Sequence, residues 1–252
     1  MAVLVGSTGF VGGHVARSHP FEHQVHRIDV SSIRGLKTDL LVCAGLPAAK
    51  WLANQEPEAD WGNMTRLAQV LTEVKAERAV LISTVDVYQP AVHVDETNSA
   101  DFNGVEAYGS HRAWFEAFFR SNFHDAFVVR LPALYAQDVR KNLVHDLLKE
   151  RSDQLQKVNP SSTFQFFDAT KTWSLIRSAM ASGISMLNAA TEPVTAQAVA
   201  DLFGVELGGT APPQRYDMRS VHAERFGGYD GYLFTAESAL EDISRLREGV
   251  GP

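Results

Sequence analysis

The chain has 252 residues, of which 45% are hydrophobic and 21% are charged, and its formal net charge at pH 7 is -7. This length suffices for one α/β domain with a small additional lobe, and the composition is that of a globular protein. The acidic balance argues against a general nucleic-acid binder and against a protein that binds anionic membrane surfaces. It does not argue against a small anionic ligand that a few local groups hold.

Cysteine content and apolar runs bear on the compartment. The single cysteine, Cys43, lies in an apolar run, which excludes an intramolecular disulfide and favours a reducing compartment. The first residues lack a basic segment followed by an apolar stretch, and no apolar run approaches the length of a membrane span. We therefore expect a cytoplasmic protein with no membrane partner.

The first motif is a glycine-rich turn between a strand and a helix. Residues 1–5 are apolar, and GSTGFVG follows at residues 6–12. Gly6 permits a tight turn, Gly9 lets the backbone approach a pyrophosphate, and Gly12 lets helix and strand pack closely. The helix N-terminus attracts phosphate. The motif predicts dinucleotide binding, and the alternative is a turn that serves packing only. The expected cofactor contacts are Gly6, Thr8, Gly9, Phe10, Val11 and Gly12.

A second strand is predicted at residues 24–29, ending in Asp29. A carboxylate at this place accepts hydrogen bonds from the ribose hydroxyls of adenosine and repels a 2′-phosphate, so it favours NAD over NADP. The alternative for Asp29 is a plain turn carboxylate. The stretch from residue 30 to residue 38 is too short for a full helix and strand.

Strands and helices alternate along the next part of the chain. We predict strands at residues 39–44, 78–83 and 126–131, and helices at residues 60–75 and 105–121. This alternation predicts an α/β fold with a doubly wound parallel sheet, in which the C-terminal ends of the strands share one edge.

Beyond residue 136 the alternation loosens. Helices are predicted at residues 142–151, 170–181, 195–203 and 235–247, strands at 164–167 and 184–187, and an irregular stretch at 204–231. The chain is therefore predicted to contain a dinucleotide-binding domain at residues 1–136 and a mixed region at residues 137–252. That region would include a small C-terminal lobe for a substrate.

Three side chains of the first region suit carbonyl–alcohol redox chemistry. Thr84 lies at the end of a predicted strand, and Tyr108 and Arg112 are four residues apart on one face of a predicted helix. A tyrosine can exchange a proton with a substrate oxygen when a nearby positive charge lowers its pKa, and a strand-end hydroxyl can orient that oxygen. The alternative is that Tyr108 is a core aromatic residue.

These motifs together resemble the extended short-chain dehydrogenase/reductases, the family of NAD-dependent sugar-nucleotide epimerases, dehydratases and reductases. The resemblance covers residues 1 to about 200 and includes the glycine turn and Asp29. It also rests on Cys43-Ala44-Gly45, Ser83-Thr84 with Val87-Tyr88, Tyr108-x-x-x-Arg112, and Arg130-Leu131-Pro132-Ala133-Leu134-Tyr135.

The resemblance implies a Rossmann-like fold, NAD or NADP as cofactor and a nucleotide-activated sugar as substrate. It implies that Tyr108 is the acid/base, that Thr84 is the catalytic hydroxyl, and that Arg112 stands where the family has lysine. Further cofactor contacts that it implies are Ala44, Gly45, Ser83, Tyr108, Arg112 and Leu131. The substrate contacts that it implies are Asp86, Tyr88, Asn142 and Leu143.

The chain departs from the family pattern at three places. Arginine keeps the positive charge of lysine but is a planar fork, so Arg112 is not a conservative replacement. Val85 stands where sugar dehydratases of the family carry an aspartate, which argues against 4,6-dehydration. The short stretch before Asp39 leaves the sheet without an edge strand that the family usually has.

Two further expectations concern partners and metals. The resemblance implies a homodimer in which the helices at residues 60–75 and 105–121 pair with their copies, and the alternative is that their aromatic side chains are buried within one chain. The nine histidines lack the spacing of a metal site, so we predict no metal. The alternative to an enzyme is a catalytically idle dinucleotide-binding module that senses a cofactor or acts as a scaffold.

Overall fold

A computed structural model describes residues 1–249 of the chain. Its strands are β1 (Ala2–Val5), β2 (His23–Val25), β3 (Lys37–Cys43), β4 (Lys75–Thr84), β5 (Val92–Val94), β6 (Ala126–Leu131), β7 (Ala133–Tyr135), β8 (Thr163–Phe164), β9 (Phe166–Asp168), β10 (Met186–Asn188), β11 (Val194–Thr195) and β12 (Asp217–Met218). Its α-helices are α1 (Phe10–Ser18), α2 (Lys50–Gln55), α3 (Pro57–Leu71), α4 (Ala107–Asn122), α5 (Leu143–Leu148), α6 (Ser152–Leu155), α7 (Thr172–Ala181), α8 (Ala196–Asp201) and α9 (Ala236–Arg247). Short 3-10 helices lie at Arg27–Ile33, Val85–Val87, Ala169–Lys171 and Ala223–Phe226.

The central sheet has six strands in the order β10-β6-β4-β3-β1-β2. The pairs β1–β2, β1–β3 and β3–β4 are parallel, with Val3 opposite both His23 and Leu41. Helices cover both faces of such a sheet, so its strands are nearly continuous apolar runs, as Val3, Leu4 and Val5 are. The predicted α/β fold with a doubly wound parallel sheet is confirmed.

The chain forms two compact units, each made of several segments. The first contains residues 1–89, 99–130 and 170–187. Its core includes apolar side chains from α3 and α4 that pack with those of β1, β3 and β4. Pro57 occupies the first turn of α3, where its fixed φ suits a helix start. The helix therefore begins three residues before the predicted start at Asp60, and it ends at Leu71 rather than at residue 75.

The edge of the sheet differs from the predicted pattern at β2. The strand ends at Val25, and Asp29 lies in the 3-10 helix Arg27–Ile33. The prediction of a strand over residues 24–29 was therefore wrong beyond Val25. The prediction that the sheet lacks a further edge strand is confirmed, because β2 is the last strand on this side.

The second unit contains residues 90–98, 131–169 and the chain from residue 188 onward. Short strand pairs dominate it: β7 with β9, β8 with β11 and β5 with β12. The helix predicted at residues 142–151 ends at Leu148, because the backbone at Glu150 has a φ of 51° that interrupts a right-handed helix, and the short helix α6 follows from Ser152. The stretch at residues 204–231, predicted as irregular, holds β12 and one short 3-10 helix.

Within residues 1–249, no helix combines the length and the apolar character that a bilayer crossing requires.

Candidate active site

The glycine turn after β1 is closely packed against neighbouring backbone. Gly6 has a φ of 87°, which favours glycine, and a Cβ there would lie 2.4 Å from the carbonyl oxygen of Ala44. A Cβ at Gly12 would lie 2.1 Å from the carbonyl oxygen of Gly6, whereas one at Gly9 would meet only that oxygen, at 3.2 Å. Packing therefore requires Gly6 and Gly12, and it explains Gly9 less well.

The first turn of α1 carries no acidic side chain that would offset the partial positive charge of the helix N-terminus. Gly9 precedes the helix and gives it no side-chain cap, and the first turn has no acidic residue. Phe10 and Val11 begin the helix with half-buried side chains. The partial positive charge of this helix end is therefore not offset by a carboxylate on the helix itself.

The residue that directly follows β2 is His26, not Asp29. The Nδ1 atom of His26 lies 3.3 Å from the hydroxyl oxygen of Thr8 in the glycine turn, and Gly6 N–H donates to the carbonyl oxygen of Val25 at 2.8 Å. Asp29 lies four residues beyond the end of β2 and is exposed. The strand end and the glycine turn are thus joined, with a histidine where a ribose-binding acid was predicted.

The strand end that carries Thr84 lies against the helix start that carries Tyr108, because a Cβ at Gly109 would lie 2.0 Å from the carbonyl oxygen of Asp86. Thr84 is the last residue of β4, and Tyr108 lies in the first turn of α4, where its N–H donates to Asn54 Oδ1 at 2.9 Å. Thr84 Oγ1 also donates to Asp86 Oδ2 at 3.0 Å and accepts from the Asp86 N–H at 3.2 Å. The strand end and the helix start that carry the predicted pair therefore lie next to each other.

Burial raises the pKa of the Tyr108 phenol above its usual value. The negative charge of Asp86 raises the pKa further. The positive charges of Arg112 and Lys50 and the hydrogen bond to Thr84 lower it. The net direction is upward, so Tyr108 is a neutral phenol at neutral pH. In this state it can donate a proton.

Arg112 is 1% exposed, and its guanidinium forms a two-pronged ion pair with Asp60. The group also donates to the carbonyl oxygen of Pro47 at 2.6 Å and to that of Tyr108 at 3.2 Å. Its Cζ atom lies 3.9 Å from the centroid of the Tyr108 ring. Among the described residues, the buried Nε of Arg112 has no hydrogen-bond acceptor.

Asp60 joins Arg112 to a histidine. The Nδ1 atom of His111 lies 2.8 Å from Asp60 Oδ2. Burial alone would raise the pKa of Asp60, but the hydrogen bonds and charges of Arg112 and His111 outweigh it and hold the pKa below its usual range. Asp60 was not predicted as part of the site, and only its place on the helix facing α4 could have suggested it.

Lys50 is a further charged residue of this region that the sequence analysis did not identify. Its ammonium nitrogen lies 2.8 Å from Asp86 Oδ1 and 2.6 Å from Glu106 Oε2. Lys50 begins α2, just after the loop that follows β3. That loop leaves the same edge of the sheet as Thr84, and this shared edge is the signal that could have indicated Lys50.

Ser83 and Tyr88, predicted as cofactor and substrate contacts, belong to a buried polar network. Ser83 Oγ donates to Glu116 Oε1 at 2.5 Å, and Arg130 Nη2 donates to Glu116 Oε2 at 2.6 Å. The guanidinium of Arg130 also donates to the hydroxyl of Tyr88 and lies 4.7 Å from its ring centroid. These contacts give both residues a structural role besides the predicted one.

The remaining predicted contacts lie at strand and helix ends. Ala44 and Gly45 follow β3, and Leu131 ends β6 with a buried side chain. In the second unit, Asn142 has a φ of 99° and caps α5 by accepting from His145 N–H at 3.2 Å, and Leu143 is buried. No cluster of His, Cys, Asp and Glu among residues 1–249 could hold a metal ion.

No family model and no curated protein matches the sequence. Solved structures match over nearly the whole chain. They include dTDP-4-dehydrorhamnose reductase from Yersinia enterocolitica, with a TM-score of 0.73, 13% identity and 99% coverage of both chains. UDP-glucuronic acid 4-epimerase from Bacillus cereus, in complex with UDP-glucuronic acid and NAD, has a TM-score of 0.74, 13% identity, and coverage of 99% of this chain and 100% of its own.

A third similar structure is the UDP-glucose 4-epimerase of Thermus thermophilus in complex with NAD, with a TM-score of 0.70, 15% identity and 99% coverage of both chains. These identities are too low to carry an activity from one protein to another, but the agreement extends along the whole chain. The chain therefore has the Rossmann-like fold of sugar-nucleotide reductases and epimerases, and the resemblance to the extended short-chain dehydrogenase/reductases is confirmed for the fold.

Proposed function

We propose that the chain is an NAD-dependent oxidoreductase that acts on a nucleotide-activated sugar by hydride transfer, with Tyr108 as the acid/base. The observation that carries this proposal is the position of Tyr108 at the start of α4, beneath the Arg112 guanidinium and beside the segment that follows Thr84 at the end of β4. Ligands bind at this edge in open α/β sheets. Structures with the same fold hold NAD together with UDP-glucuronic acid or UDP-glucose, which supports the cofactor and the substrate class.

The residues present fit a dinucleotide. Gly6 and Gly12 form a turn that a Cβ would disrupt, and the helix end beyond Gly9 has no side-chain cap. We assign the pyrophosphate to the glycine turn, with Ala44 and Gly45 beside it. Asp29 would bind the adenosine ribose, and NADP is the alternative cofactor.

The neutral phenol suits the reduction of a keto group. When bound, the nicotinamide cofactor supplies the hydride. Tyr108, neutral because burial raises its pKa, donates its proton to the oxygen that becomes the alcohol. Thr84 orients that oxygen. Epimerisation begins with oxidation of an alcohol, in which Tyr108 would act as the base, and it remains the alternative reaction.

Dehydration of the sugar is not part of the proposal. Val85 carries no proton to give to a leaving hydroxyl. The carboxylate of Asp86 already accepts from Thr84 and pairs with Lys50, so both of its oxygens are engaged. We place Asp86, Tyr88, Asn142 and Leu143 on the substrate side as proposals, and we propose a homodimer as the working form.

A panel assay tests the function. The protein is incubated with NADH or NADPH and with 4-keto sugars activated by UDP or dTDP, and cofactor absorbance is followed. Oxidation of the cofactor that depends on one of these sugars is the expected result. Cofactor binding without turnover across the panel would contradict it.

Tyr108→Phe is the matched variant for this assay. Removal of the phenolic hydroxyl should lower kcat by about 100-fold to 10,000-fold, the usual contribution of a positioned acid/base. Cofactor affinity should change little, because the ring remains beneath Arg112. Turnover equal to that of the unaltered protein would remove Tyr108 from the mechanism.

A specific observation supports a second candidate, an idle NAD-binding module. Arg112 stands in place of lysine, and Asp60 offsets its charge. An idle module would bind NADH with the same affinity after Tyr108→Phe, and it would not oxidise NADH with any sugar of the panel. The Arg112→Lys variant discriminates further, since a gain of turnover would indicate a degraded site.

A further inference from the structure

We infer that Lys50 is a positioning residue of the site: its ammonium holds the Asp86 carboxylate, which orients the Thr84 hydroxyl, and it offsets the negative charge that this carboxylate brings beside the Tyr108 phenol. The inference rests on the proposed function. It names a residue outside the tyrosine, threonine and arginine that the resemblance implies.

The position of the ammonium group carries the first step. Lys50 Nζ lies between two carboxylates, 2.8 Å from Asp86 Oδ1 and 2.6 Å from Glu106 Oε2. Asp86 follows β4 and Glu106 immediately precedes α4, so this one group links the segments that carry Thr84 and Tyr108. The Lys50 side chain is 34% exposed, which leaves its bonds weaker than those of a buried pair.

The second step concerns Asp86. Its two carboxylate oxygens have different partners: Oδ1 pairs with Lys50, and Oδ2 accepts the hydrogen of Thr84 Oγ1 at 3.0 Å. With its hydrogen directed to Asp86, the Thr84 oxygen turns a lone pair toward other donors, so the orientation of this hydroxyl depends on the Asp86 carboxylate. Rotation of the Asp86 carboxylate would release the Thr84 hydroxyl, so the bond to Lys50 fixes its orientation.

The third step is electrostatic. The charged groups around the phenol are Arg112 on α4, Asp86 after β4, Lys50 on α2 and Glu106 before α4, with Asp60 and His111 beyond Arg112. Arg112 lowers the pKa of Tyr108 most, Asp86 raises it, and Lys50 lowers it. Arg112 is fixed by Asp60 and by the carbonyl oxygen of Pro47, so Lys50 is the cation that balances Asp86.

Titration of Tyr108 tests the inference without any turnover. The protein is labelled with fluorinated tyrosine, whose pKa is lower than that of tyrosine, and the six tyrosine signals are followed by ¹⁹F NMR, with Tyr108→Phe giving the assignment. Lys50→Met should raise the pKa of Tyr108 by about one unit. Asp86→Asn should lower it. The double variant should return close to the unaltered protein, because both charges of the pair are then gone.

The matched control is Lys37→Met, which removes an exposed lysine at the start of β3. It should leave the titration of Tyr108 unchanged. Lys50→Gln, which keeps hydrogen-bonding capacity without the charge, serves as the second variant if Lys50→Met does not fold. An unchanged titration in a folded Lys50 variant would overturn the inference, as would a double variant whose titration stays at that of Lys50→Met.

The kinetic test separates positioning from substrate binding. Lys50→Met should lower kcat by about tenfold or more and move the pH profile with the Tyr108 titration, whereas KM should change less. Lys50→Arg should restore most of kcat. An inactive unaltered protein would contradict the proposed function alone, because the NMR titration would still decide the role of Lys50.

Discussion

Arg112 and Asp60 form the most fully buried ion pair of the candidate site. The guanidinium is 1% exposed and the Asp60 side chain 4%, and the two groups meet through two hydrogen bonds. The desolvation of such a pair offsets much of its attraction, so the intact pair adds little net stability. The loss of one partner is costly, because the other charge then stays buried without compensation.

Asp60→Ala should therefore lower the free energy of unfolding by about 3 to 5 kcal/mol, measured by urea denaturation. The matched control is Glu73→Ala, which breaks the surface ion pair with Arg34, whose two side chains are 41% and 49% exposed. That change should cost less than about 1 kcal/mol. Equal effects of the two variants would mean that the guanidinium of Arg112 finds another acceptor.

The same pair predicts a dependence on pH. The pKa of Asp60 is lower in the folded chain than its usual value, so the unfolded chain binds the proton more tightly. The contribution of Asp60 to stability is thus complete above the ordinary aspartate pKa of about 4 and is lost as the pH falls through the lower folded value. The stability difference between the protein and Asp60→Asn should accordingly narrow below about pH 4.

At the level of residues, the sequence indicated those whose motif fixes their chemistry. Thr84 and Tyr108 could be paired because a strand end and a helix start meet at one edge of the sheet. The same edge could have indicated Lys50, which follows β3, but not Asp60, because Asp60 meets Arg112 through a contact between two helices. A buried aspartate on α3 becomes recognisable only once α3 is known to face Arg112 on α4.

Two helical glycines form a natural pair for testing the turn after β1. In α1, a Cβ at Gly12 would lie 2.1 Å from the carbonyl oxygen of Gly6. In α3, a Cβ at Gly62 would meet nothing within 4 Å. Substitution by alanine is therefore expected to lower the stability of the folded chain in α1 and to raise it in α3.

Gly12→Ala should force α1 away from the turn, lower the unfolding midpoint and weaken NADH binding by about tenfold or more, because the helix end and the turn no longer share one geometry. Gly62→Ala should raise the free energy of unfolding by about 0.5 to 1 kcal/mol and leave NADH binding unchanged. Calorimetry of folding and of NADH binding on both variants gives the comparison. Unimpaired NADH binding by Gly12→Ala would contradict the assignment of the pyrophosphate.

We expect the segment after β2 to set the preference between NAD and NADP. Asp29 lies in the 3-10 helix that replaces a longer helix and strand, and His26 lies at the strand end beside Thr8. Asp29→Ala should weaken NADH binding more than NADPH binding if the carboxylate binds the ribose. His26→Ala is the companion variant: a larger effect there than at Asp29 would move ribose recognition to the histidine. Dissociation constants for both cofactors provide the measurement.

At the level of elements, the strongly apolar strands were predicted well, and β6 agrees with its prediction at both ends. Strand β4 begins at Lys75, three residues before the prediction, because pairing with β3 continues through charged residues such as Lys75 opposite Lys37. Strand β2 has only three residues and is shorter than predicted. It lies at the edge of the sheet, and its first two residues are exposed, so little apolar burial extends it. Hydrophobic pattern alone indicates neither of these boundaries.

At the level of the whole molecule, helices α3 and α4 carry an aromatic surface, formed by Trp61, Trp114 and Phe118, that stays partly exposed. Trp61 on α3 lies 4.6 Å from Trp114 on α4, between ring centroids, and Trp114 stacks on Phe118 at 5.8 Å. Trp61 is 37% exposed, while Trp114 and Phe118 are half-buried. Helices with such a face can pair with their own copies about a two-fold axis, since each copy then offers and receives the same surface.

The proposed homodimer predicts that this surface sets the oligomeric state. A charge at its centre would have to be buried without a partner, so Trp61→Glu and Trp114→Glu should shift the protein from dimer to monomer in sedimentation velocity experiments. Trp51→Glu is the matched control, because Trp51 is 67% exposed on α2 and lies outside this surface. It should leave the dimer intact. A protein that sediments as a monomer before any substitution, at concentrations well above those of the assay, would show that the aromatic side chains serve the single chain.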